Sequence, residues 1–260
     1  MQPHGHRVNG PDRYPVLLHG FTGSSASWGE RIVDGLSGAG LPPVLVDLPG
    51  HGGHVGDVDP SRFTLASALA EVASAGDWPA DVVGYSMGAR VALHFAAAHP
   101  DRVRRLVLES GSPGLATEAD RSRRRTEDEA LATRLADDGL EAFVDYWASR
   151  PIFETRLGLD QQQLARQREL RLRNDPHSLA AALRGLGTGA IPSLWDDLPG
   201  IPTPTLLLVG ALDRKFVDIA GRMVASMPEA RVVVVPGAGH TVHLEQPSAW
   251  LEAVTGFLRG

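Results

Sequence analysis

A serine between two glycines is the first feature of the sequence that could do chemistry. The stretch GYSMG places Ser86 between Gly84 and Gly88, after the apolar run ADVV and before a helix-like run. This is the GxSxG pattern of a sharp strand-to-helix turn, which exposes a serine hydroxyl at the carboxyl edge of a sheet. Glycine relieves the crowding of such a turn because it has no Cβ. We therefore expect Ser86 to be a catalytic residue.

Acid and histidine candidates follow the serine in the chain order that this turn requires. A serine hydroxyl becomes reactive when an imidazole takes its proton and a carboxylate orients that imidazole. Asp213 follows the apolar run TPTLLLVG and His240 follows ARVVVVPG, so both lie in loops after predicted strands. Asp218 lies inside a predicted helix, and a histidine at position 243, His243, suits packing below the site. We predict a catalytic triad of Ser86, Asp213 and His240.

Backbone amides near the serine are expected to bind the negative charge that develops on a substrate oxygen. The stretch HGFTGSSASW follows the first strand and can present the N–H of Phe21, to pair with the N–H of Met87. His19 and Gly20 would shape the first loop, and His51, in a turn rich in Gly and Pro, is expected to be structural. The predicted oxyanion hole therefore consists of the Phe21 and Met87 amides.

Six short apolar runs alternate with helix-like stretches and must position these residues. The runs are bounded by Gly, Pro and Asp, as expected for strands buried on both faces of a parallel sheet. They are YPVLLHG, LPPVLVDLPG, ADVVGYS, RVRRLVLES, TPTLLLVGALD and ARVVVVPGAGH. Helical patterns occur at 64–75, 87–98, 217–226 and 247–258. The alternation predicts an α/β fold, with a mostly parallel central sheet and helices on both of its faces.

One long segment interrupts this alternation. Residues 113–195 show no strand pattern and are rich in Arg, Asp, Glu, Leu and Ala. The segment is too long and too helical in pattern to be a loop. We therefore predict an inserted helical lid over 113–195 and a core formed by 1–112 and 196–260. Ligands of open α/β sheets bind at the carboxyl ends of the strands, which is the edge that such a lid would cover.

Composition excludes several classes of function. The chain has 260 residues, 43% of them hydrophobic, and a formal net charge of -6, which suits a buried core and disfavours nucleic-acid binding. It contains no cysteine, which removes disulfides, thiolate metal sites and a cysteine nucleophile. No apolar run is long enough to span a membrane, and the start lacks the apolar region of a signal peptide. We expect a cytoplasmic enzyme with no cofactor, metal, nucleic-acid or membrane partner; its oligomeric state stays open.

Longer motifs resemble one family within this fold class. The resemblance runs from Tyr14 to the C-terminus, and its motifs occur in the order found in 2-succinyl-6-hydroxy-2,4-cyclohexadiene-1-carboxylate synthases, the MenH family of the α/β-hydrolase fold. They are LLHGFTGSSASW, DLPGHG, GYSMGAR, LVLESGSPGL, RSRRRTEDEALA, YWASRPIF, LDRKF and GHTVHLEQP. The patterns ESxSPGL, RxxRRxxD and WxxxPxF are closer to this family than to the superfamily. The chain departs from the family at Ala89, where a glycine is frequent, and at Gly111, where alanine is usual.

This resemblance implies a lyase of menaquinone biosynthesis that acts on a small polycarboxylate. Members of the family eliminate pyruvate from 2-succinyl-5-enolpyruvyl-6-hydroxy-3-cyclohexene-1-carboxylate, and the triad would act as a base without forming an acyl-enzyme. Arginine suits such a substrate because it binds a carboxylate through two parallel hydrogen bonds. The resemblance implies the substrate-binding residues Tyr85, Arg90, Arg124, Trp147, Arg171 and Lys215. Arg168 and Arg173 are alternatives to Arg171.

Two other functions stay open from the sequence. The same triad could hydrolyse an ester or a carbon–carbon bond by attack of Ser86 on a carbonyl. The chain could also be a non-catalytic ligand-binding protein on a hydrolase fold. The arginines favour the lyase, because a simple esterase needs no set of carboxylate anchors, and the intact triad residues argue against a non-catalytic protein.

Overall fold

Six parallel strands form one sheet in the computed structural model, which describes residues 14–57 and 59–260. The strand order is β2-β1-β3-β4-β5-β6. The strands are β1 Pro15–Leu18, β2 Val44–Val46, β3 Ala80–Tyr85, β4 Val103–Glu109, β5 Thr205–Gly210 and β6 Ala230–Val235. The prediction of an α/β fold with a parallel sheet is therefore confirmed, with one strand in each of the six apolar runs. The expected core range 1–112 includes residues 1–13 and 58, which lie outside the described residues.

Helices cover both faces of this sheet. The α-helices are α1 Gly29–Gly38, α2 Leu65–Ser74, α3 Met87–Ala98, α4 Glu118–Ala148, α5 Gln161–Arg171, α6 Pro176–Leu186, α7 Arg214–Ser226, α8 Val242–Glu245 and α9 Pro247–Arg259. Successive residues of β1 point to opposite faces: Val16 and Leu18 pack in a core with α2, α3 and α7, whereas Leu17 packs in a core with α1 and α9. Strands β1, β3 and β5 are buried along their whole length, because helices cover both faces of the sheet there. The expectation of a strand buried on both faces is wrong for β6, where Val232 and Val234 are exposed, because β6 lies at the edge of the sheet.

The helices differ from the sequence patterns mainly at α7 and α1, and the patterns do not include the short helix α8. Helix α7 begins at Arg214, three residues before the predicted 217–226, because the Asp213 side chain caps its first turn. Helix α1 is absent from the sequence prediction, since its three glycines weaken the helical pattern. Burial of Ile32 and Leu36 against the sheet stabilises it instead. Within the described chain, no helix combines the length and the apolar character needed to cross a membrane.

The chain between β4 and β5 contains α4, α5, α6 and two 3-10 helices, Pro151–Gly158 and Leu198–Gly200. Helices α4 and α6 pack together around a third apolar core that includes Leu135, Phe143 and Leu183. Helix α4 is kinked at Gly139, whose φ of 80° and ψ of 170° are not helical. The ring of Phe143 lies edge-on to Phe21, in the loop after β1. This helical segment therefore contacts the carboxyl edge of the sheet.

Candidate active site

The turn between β3 and α3 presents the serine hydroxyl in a strained backbone conformation. Ser86 has a φ of 51° and a ψ of -104°, and its N–H donates to the backbone oxygen of Glu109 over 2.9 Å. A Cβ on Gly88 would lie 2.2 Å from the backbone oxygen of Leu18, and one on Gly84 would lie 2.4 Å from that of Gly88. Only glycine fits at these two positions, because the helix, β1 and the turn pack backbone against backbone.

Loops after three parallel strands bring the serine, the histidine and the acid together. The Nε2 of His240 lies 3.0 Å from the Ser86 Oγ, and its Nδ1 lies 2.7 Å from the Asp213 Oδ2. The carboxylate accepts a hydrogen bond from Nδ1–H, which leaves Nε2 as an acceptor for the serine hydroxyl. Burial lowers the pKa of His240, while its bond to Asp213 opposes that shift. The imidazole is therefore neutral near pH 7 and can take the serine proton.

The two rival residues lie outside this chain of hydrogen bonds. Asp218 is exposed on α7. His243 is buried, and its Nδ1 lies 2.8 Å from the Oε1 of Glu109, which also accepts a hydrogen bond from the backbone N–H of His243. The ring of His243 packs against Tyr85, with 4.9 Å between centroids. It therefore packs beneath the site, as the sequence indicates.

The two amides expected to form an oxyanion hole are free to donate. Within the described residues, neither the Phe21 N–H nor the Met87 N–H makes a hydrogen bond to another protein group. The Met87 amide begins α3, where the helix dipole favours negative charge. Phe21 and Ser86 line the same cavity. The arrangement can therefore present two backbone donors to a substrate oxygen near the serine.

Two neutral histidines hold the Phe21 loop in place. The N–H of Thr22, a residue with a φ of 65°, donates to the Nε2 of His51 over 3.3 Å, and the Leu48 N–H donates to the Nε2 of His19 over 3.0 Å. Burial lowers the pKa of His19 and lowers that of His51 to about 3. Each ring must stay unprotonated at Nε2 to accept its backbone bond, so both have a structural role.

A cavity of about 900 Å³ extends from the serine towards the helical segment. Its lining includes Ser86, His240, Arg90, Arg124, Trp147 and Lys215. Burial and the neighbouring Arg124 lower the pKa of Arg90 to about 10, and its Nη2 donates to the backbone oxygen of Leu186. The Nε of Arg124 donates to the Asp128 Oδ1 over 2.8 Å. Arg124 and Arg90 thus concentrate positive charge on one side of the serine.

A second, smaller cavity of about 40 Å³ lies on another side of the serine. Ser86, Tyr85, Trp147 and Arg171 line it. Arg171 is only 8% exposed, and burial lowers its pKa to about 9. Arg168 instead bonds Asp145 and Glu141 on the outside of the helical segment. Of the three arginines considered from the sequence, Arg171 is therefore the one that lines a cavity beside the serine.

Sequence reasoning missed one cation of this smaller cavity, Arg156. It is buried, and its Nε donates to the Thr241 Oγ1 over 2.7 Å while its Nη2 donates to the Tyr85 hydroxyl over 3.2 Å. Its one sequence signal is its position three residues after Phe153, the last residue of the WxxxPxF pattern. Among the residues that the structure describes, no cluster of three or more His, Asp or Glu could hold a metal ion.

Comparisons with known proteins show the family to which the chain belongs. A model described as "Alpha/beta hydrolase family" matches residues 16–254, so the protein is an α/β hydrolase in fold and family. A Bacillus subtilis (strain 168) protein named "Putative 2-succinyl-6-hydroxy-2,4-cyclohexadiene-1-carboxylate synthase" is 40% identical over 250 residues, which are 94% of this chain and 89% of that protein. The 2-succinyl-6-hydroxy-2,4-cyclohexadiene-1-carboxylate synthase of Klebsiella pneumoniae subsp. pneumoniae is 32% identical over 256 residues, 96% of each chain. The chain belongs to this synthase family within the α/β hydrolases.

A solved structure supports the same relationship. The structure of MenH from S. aureus superimposes with a TM-score of 0.90 at 33% sequence identity, covering 98% of this chain and 96% of that one. An enol-lactonase from Burkholderia xenovorans LB400, at 22% identity and a TM-score of 0.82, shares the fold. The resemblance found in the sequence motifs is therefore confirmed.

Proposed function

We propose that this protein is a lyase that eliminates pyruvate from 2-succinyl-5-enolpyruvyl-6-hydroxy-3-cyclohexene-1-carboxylate, giving 2-succinyl-6-hydroxy-2,4-cyclohexadiene-1-carboxylate. The observation that carries the proposal is the position of the Ser86 hydroxyl, bonded to His240, at the junction of two arginine-lined cavities. The synthases named among its relatives support the same reaction. Its substrate carries three carboxylates, which arginines bind well.

The reaction begins with removal of a ring proton by the serine. The proton on the ring carbon beside the succinyl ketone passes to the Ser86 Oγ as the hydroxyl proton of Ser86 passes to the Nε2 of His240. Asp213 holds the imidazole in the required tautomer and stabilises the imidazolium that forms. The electrons of the broken C–H bond move onto the succinyl carbonyl oxygen. Ser86 acts as a base in this step, and no covalent bond to the substrate forms.

Collapse of the resulting enolate expels the leaving group. The Phe21 and Met87 amides would donate to the enolate oxygen, where preorganised donors lower the barrier most. A double bond then forms at the ring carbon that lost its proton, the existing ring double bond shifts by one position, and the bond from carbon to the enolpyruvyl oxygen breaks. The proton held by His240 reaches the departing enolpyruvate carbon and yields pyruvate. One proton therefore leaves the ring and one proton is added to the leaving group.

The helical segment between β4 and β5 would act as a lid over this chemistry, and the rest of the chain as the core. It supplies Arg124, Trp147 and Arg171, while Arg90 and Lys215 come from helices that follow sheet strands. The Trp147 Nε1 is buried without a hydrogen-bond partner among the described residues, so it is available to a substrate oxygen. Tyr85, whose hydroxyl is hydrogen-bonded to Thr241, lines the smaller cavity. A cytoplasmic location fits, because a polyanionic substrate does not cross a bilayer unaided.

A pyruvate-release assay tests the proposal. The substrate is generated in situ by the enzyme that makes it. Arg124→Ala is compared with Arg123→Ala, because the Arg123 side chain is next to Arg124 in the sequence, is 69% exposed and pairs with Asp120. We expect wild-type release about 10³-fold or more above spontaneous decay, a large loss of kcat/KM in Arg124→Ala, and a near-wild-type value in Arg123→Ala. Release at the spontaneous rate, together with rapid cleavage of aryl esters, would favour a hydrolase instead.

A further inference from the structure

One nitrogen of a buried guanidinium in the smaller cavity has no hydrogen-bond partner among the described residues. Two of the three nitrogens of Arg156 donate, one to Thr241 and one to Tyr85. The third, Nη1, is buried and has no hydrogen-bond partner within the described residues. The residue is 7% exposed and lines the cavity that also contains the Ser86 side chain. A buried donor without a partner is costly in the free protein, so a ligand acceptor is the expected partner.

The charge of this cavity is also unbalanced. Arg171, 8% exposed, lines it beside Arg156, and the positive charge of Arg156 adds to burial in lowering the pKa of Arg171. No Asp or Glu is among the described residues that line the cavity. Arg156 donates to two hydroxyl groups, and no carboxylate is among the groups that shift the pKa of Arg171. Two buried cations without a counter-ion are unfavourable. An anion supplied by a ligand would satisfy both.

The size and walls of the cavity restrict that anion. At about 40 Å³ this cavity is far smaller than the cavity of about 900 Å³ beside it, so it suits a small group such as one carboxylate, while the larger cavity has the room for the ring. The ring of Phe153 lies under both cations, 4.1 Å from the Arg156 Cζ and 5.9 Å from the Arg171 Cζ. Trp147 and Phe21 supply further apolar wall next to Ser86. A slender, unbranched arm that ends in a carboxylate fits this shape and charge.

We propose that the smaller cavity binds the terminal carboxylate of the substrate's succinyl arm, and that Arg156 is its buried anchor beside Arg171. The assignment rests on the proposed function, because it takes the arm from that substrate. Binding there would place the ketone of the arm next to Ser86 and the Phe21 and Met87 amides. Arg156 donates to Thr241, which directly follows His240 in the chain, so one loop carries both a contact of the anchor and the histidine that takes the serine proton.

The test uses 4-oxopentanoate, which has the carboxylate, the two methylenes and the ketone of the arm without the ring. Its binding to the purified protein is measured by calorimetry for wild type, Arg156→Gln, Arg156→Lys and Arg166→Gln. Arg166 is an exposed arginine on the same helix as Arg171 and is the matched control. We expect about 10- to 100-fold weaker binding in Arg156→Gln, a smaller loss in Arg156→Lys and no change in Arg166→Gln. The neutral 4-oxopentanamide should not bind the wild type.

Thermal unfolding separates a ligand anchor from a structural ion. If Arg156 is held for a ligand, the free Arg156→Gln variant should unfold at the wild-type temperature or above it, since an uncompensated buried charge is removed. 4-Oxopentanoate should then raise the unfolding temperature of the wild type and not of the variant. A lower unfolding temperature for the free variant, with unchanged affinity for 4-oxopentanoate, would overturn the proposal.

Failure of the proposed carboxylate site and failure of the proposed synthase function would give different experimental results. Binding of 4-oxopentanoate through Arg156 without pyruvate release would support the carboxylate site and refute the synthase function. Pyruvate release with the same KM in wild type and Arg156→Gln would refute the site and leave the synthase function intact. Absence of 4-oxopentanoate binding to the wild type would also refute the site.

Discussion

Replacing Asp213 by asparagine should slow catalysis strongly while leaving the fold intact. The Asp213 carboxylate has two separate contacts: its Oδ2 lies 2.7 Å from the His240 Nδ1, and its Oδ1 accepts the Phe216 N–H over 3.4 Å at the start of α7. An asparagine can keep the helix cap through its oxygen, which turns its NH₂ towards His240. The imidazole must then accept at Nδ1 and carry its proton at Nε2, facing Ser86. It can no longer take the serine proton.

The size of this effect follows from the tautomer. In serine-triad enzymes the same exchange costs about 10⁴ in kcat with little change in geometry, and we expect a loss of about 10³ to 10⁴ here, or roughly 4 to 5 kcal/mol in the barrier. Asparagine caps helices about as well as aspartate, so the free energy of unfolding should change by less than about 1 kcal/mol.

Pyruvate release measures the loss, and urea unfolding measures stability. Asp218→Asn is the matched control, because Asp218 is exposed on the same helix. We expect wild-type kcat for Asp218→Asn and wild-type stability for both variants. If Asp213→Asn kept more than about a tenth of wild-type kcat, the role given to the Asp213–His240 bond would be wrong.

Three further predictions concern stability and substrate binding. The pKa of His51 is about 3 in the folded protein and near 6.5 in the unfolded chain, so the free energy of unfolding should fall as the pH drops from 6.5 towards 3, by up to about 5 kcal/mol from this group. Urea unfolding at several pH values measures this fall. If the free energy of unfolding of His51→Asn changed with pH as steeply as that of the wild type, the prediction would be wrong. Gly88→Ala should destabilise the protein by about 3 kcal/mol or more, because the new Cβ would meet the backbone oxygen of a strand residue. Gly256→Ala, on α9 with open space around it, should stabilise the protein by about 0.5 to 1 kcal/mol. Equal shifts of the thermal unfolding temperature in the two variants would refute the steric explanation. Asp128→Asn should raise KM about tenfold with a small effect on kcat, because the Arg124 side chain loses the buried carboxylate that holds it in place. An unchanged KM in steady-state kinetics would argue against a role of Asp128 in positioning Arg124.

The sheet and the order of the site residues were predictable because they depend on local patterns. Strands buried on both faces leave continuous apolar runs, and the runs of β1, β3, β5 and β6 end where the loops of the candidate site begin. The turn at Ser86 has its own glycine pattern, and Asp213 and His240 follow strands in the order of the fold. Their hydrogen-bond geometry is observed, while their catalytic role stays a prediction.

Other features depend on contacts between distant parts of the chain. Helix α1 has a weak pattern of its own and forms because the sheet buries one of its faces. Arg168 and Arg171 are three residues apart, and only the tertiary structure shows that Arg168 meets the acids of α4 while Arg171 is buried. Arg156 lies in a short 3-10 helix whose position depends on the packing of Phe153 near His240. No local pattern encodes such a placement.

The most direct test of Ser86 as a base in pyruvate elimination is to follow pyruvate release and diene absorbance together in one reaction, with wild type and Ser86→Ala. We predict that the wild type forms the two products in equal amounts, far faster than the substrate decays alone, and that Ser86→Ala reduces both to the spontaneous rate. Equal rates for the wild type and Ser86→Ala, or pyruvate release without the diene, would contradict the assignment.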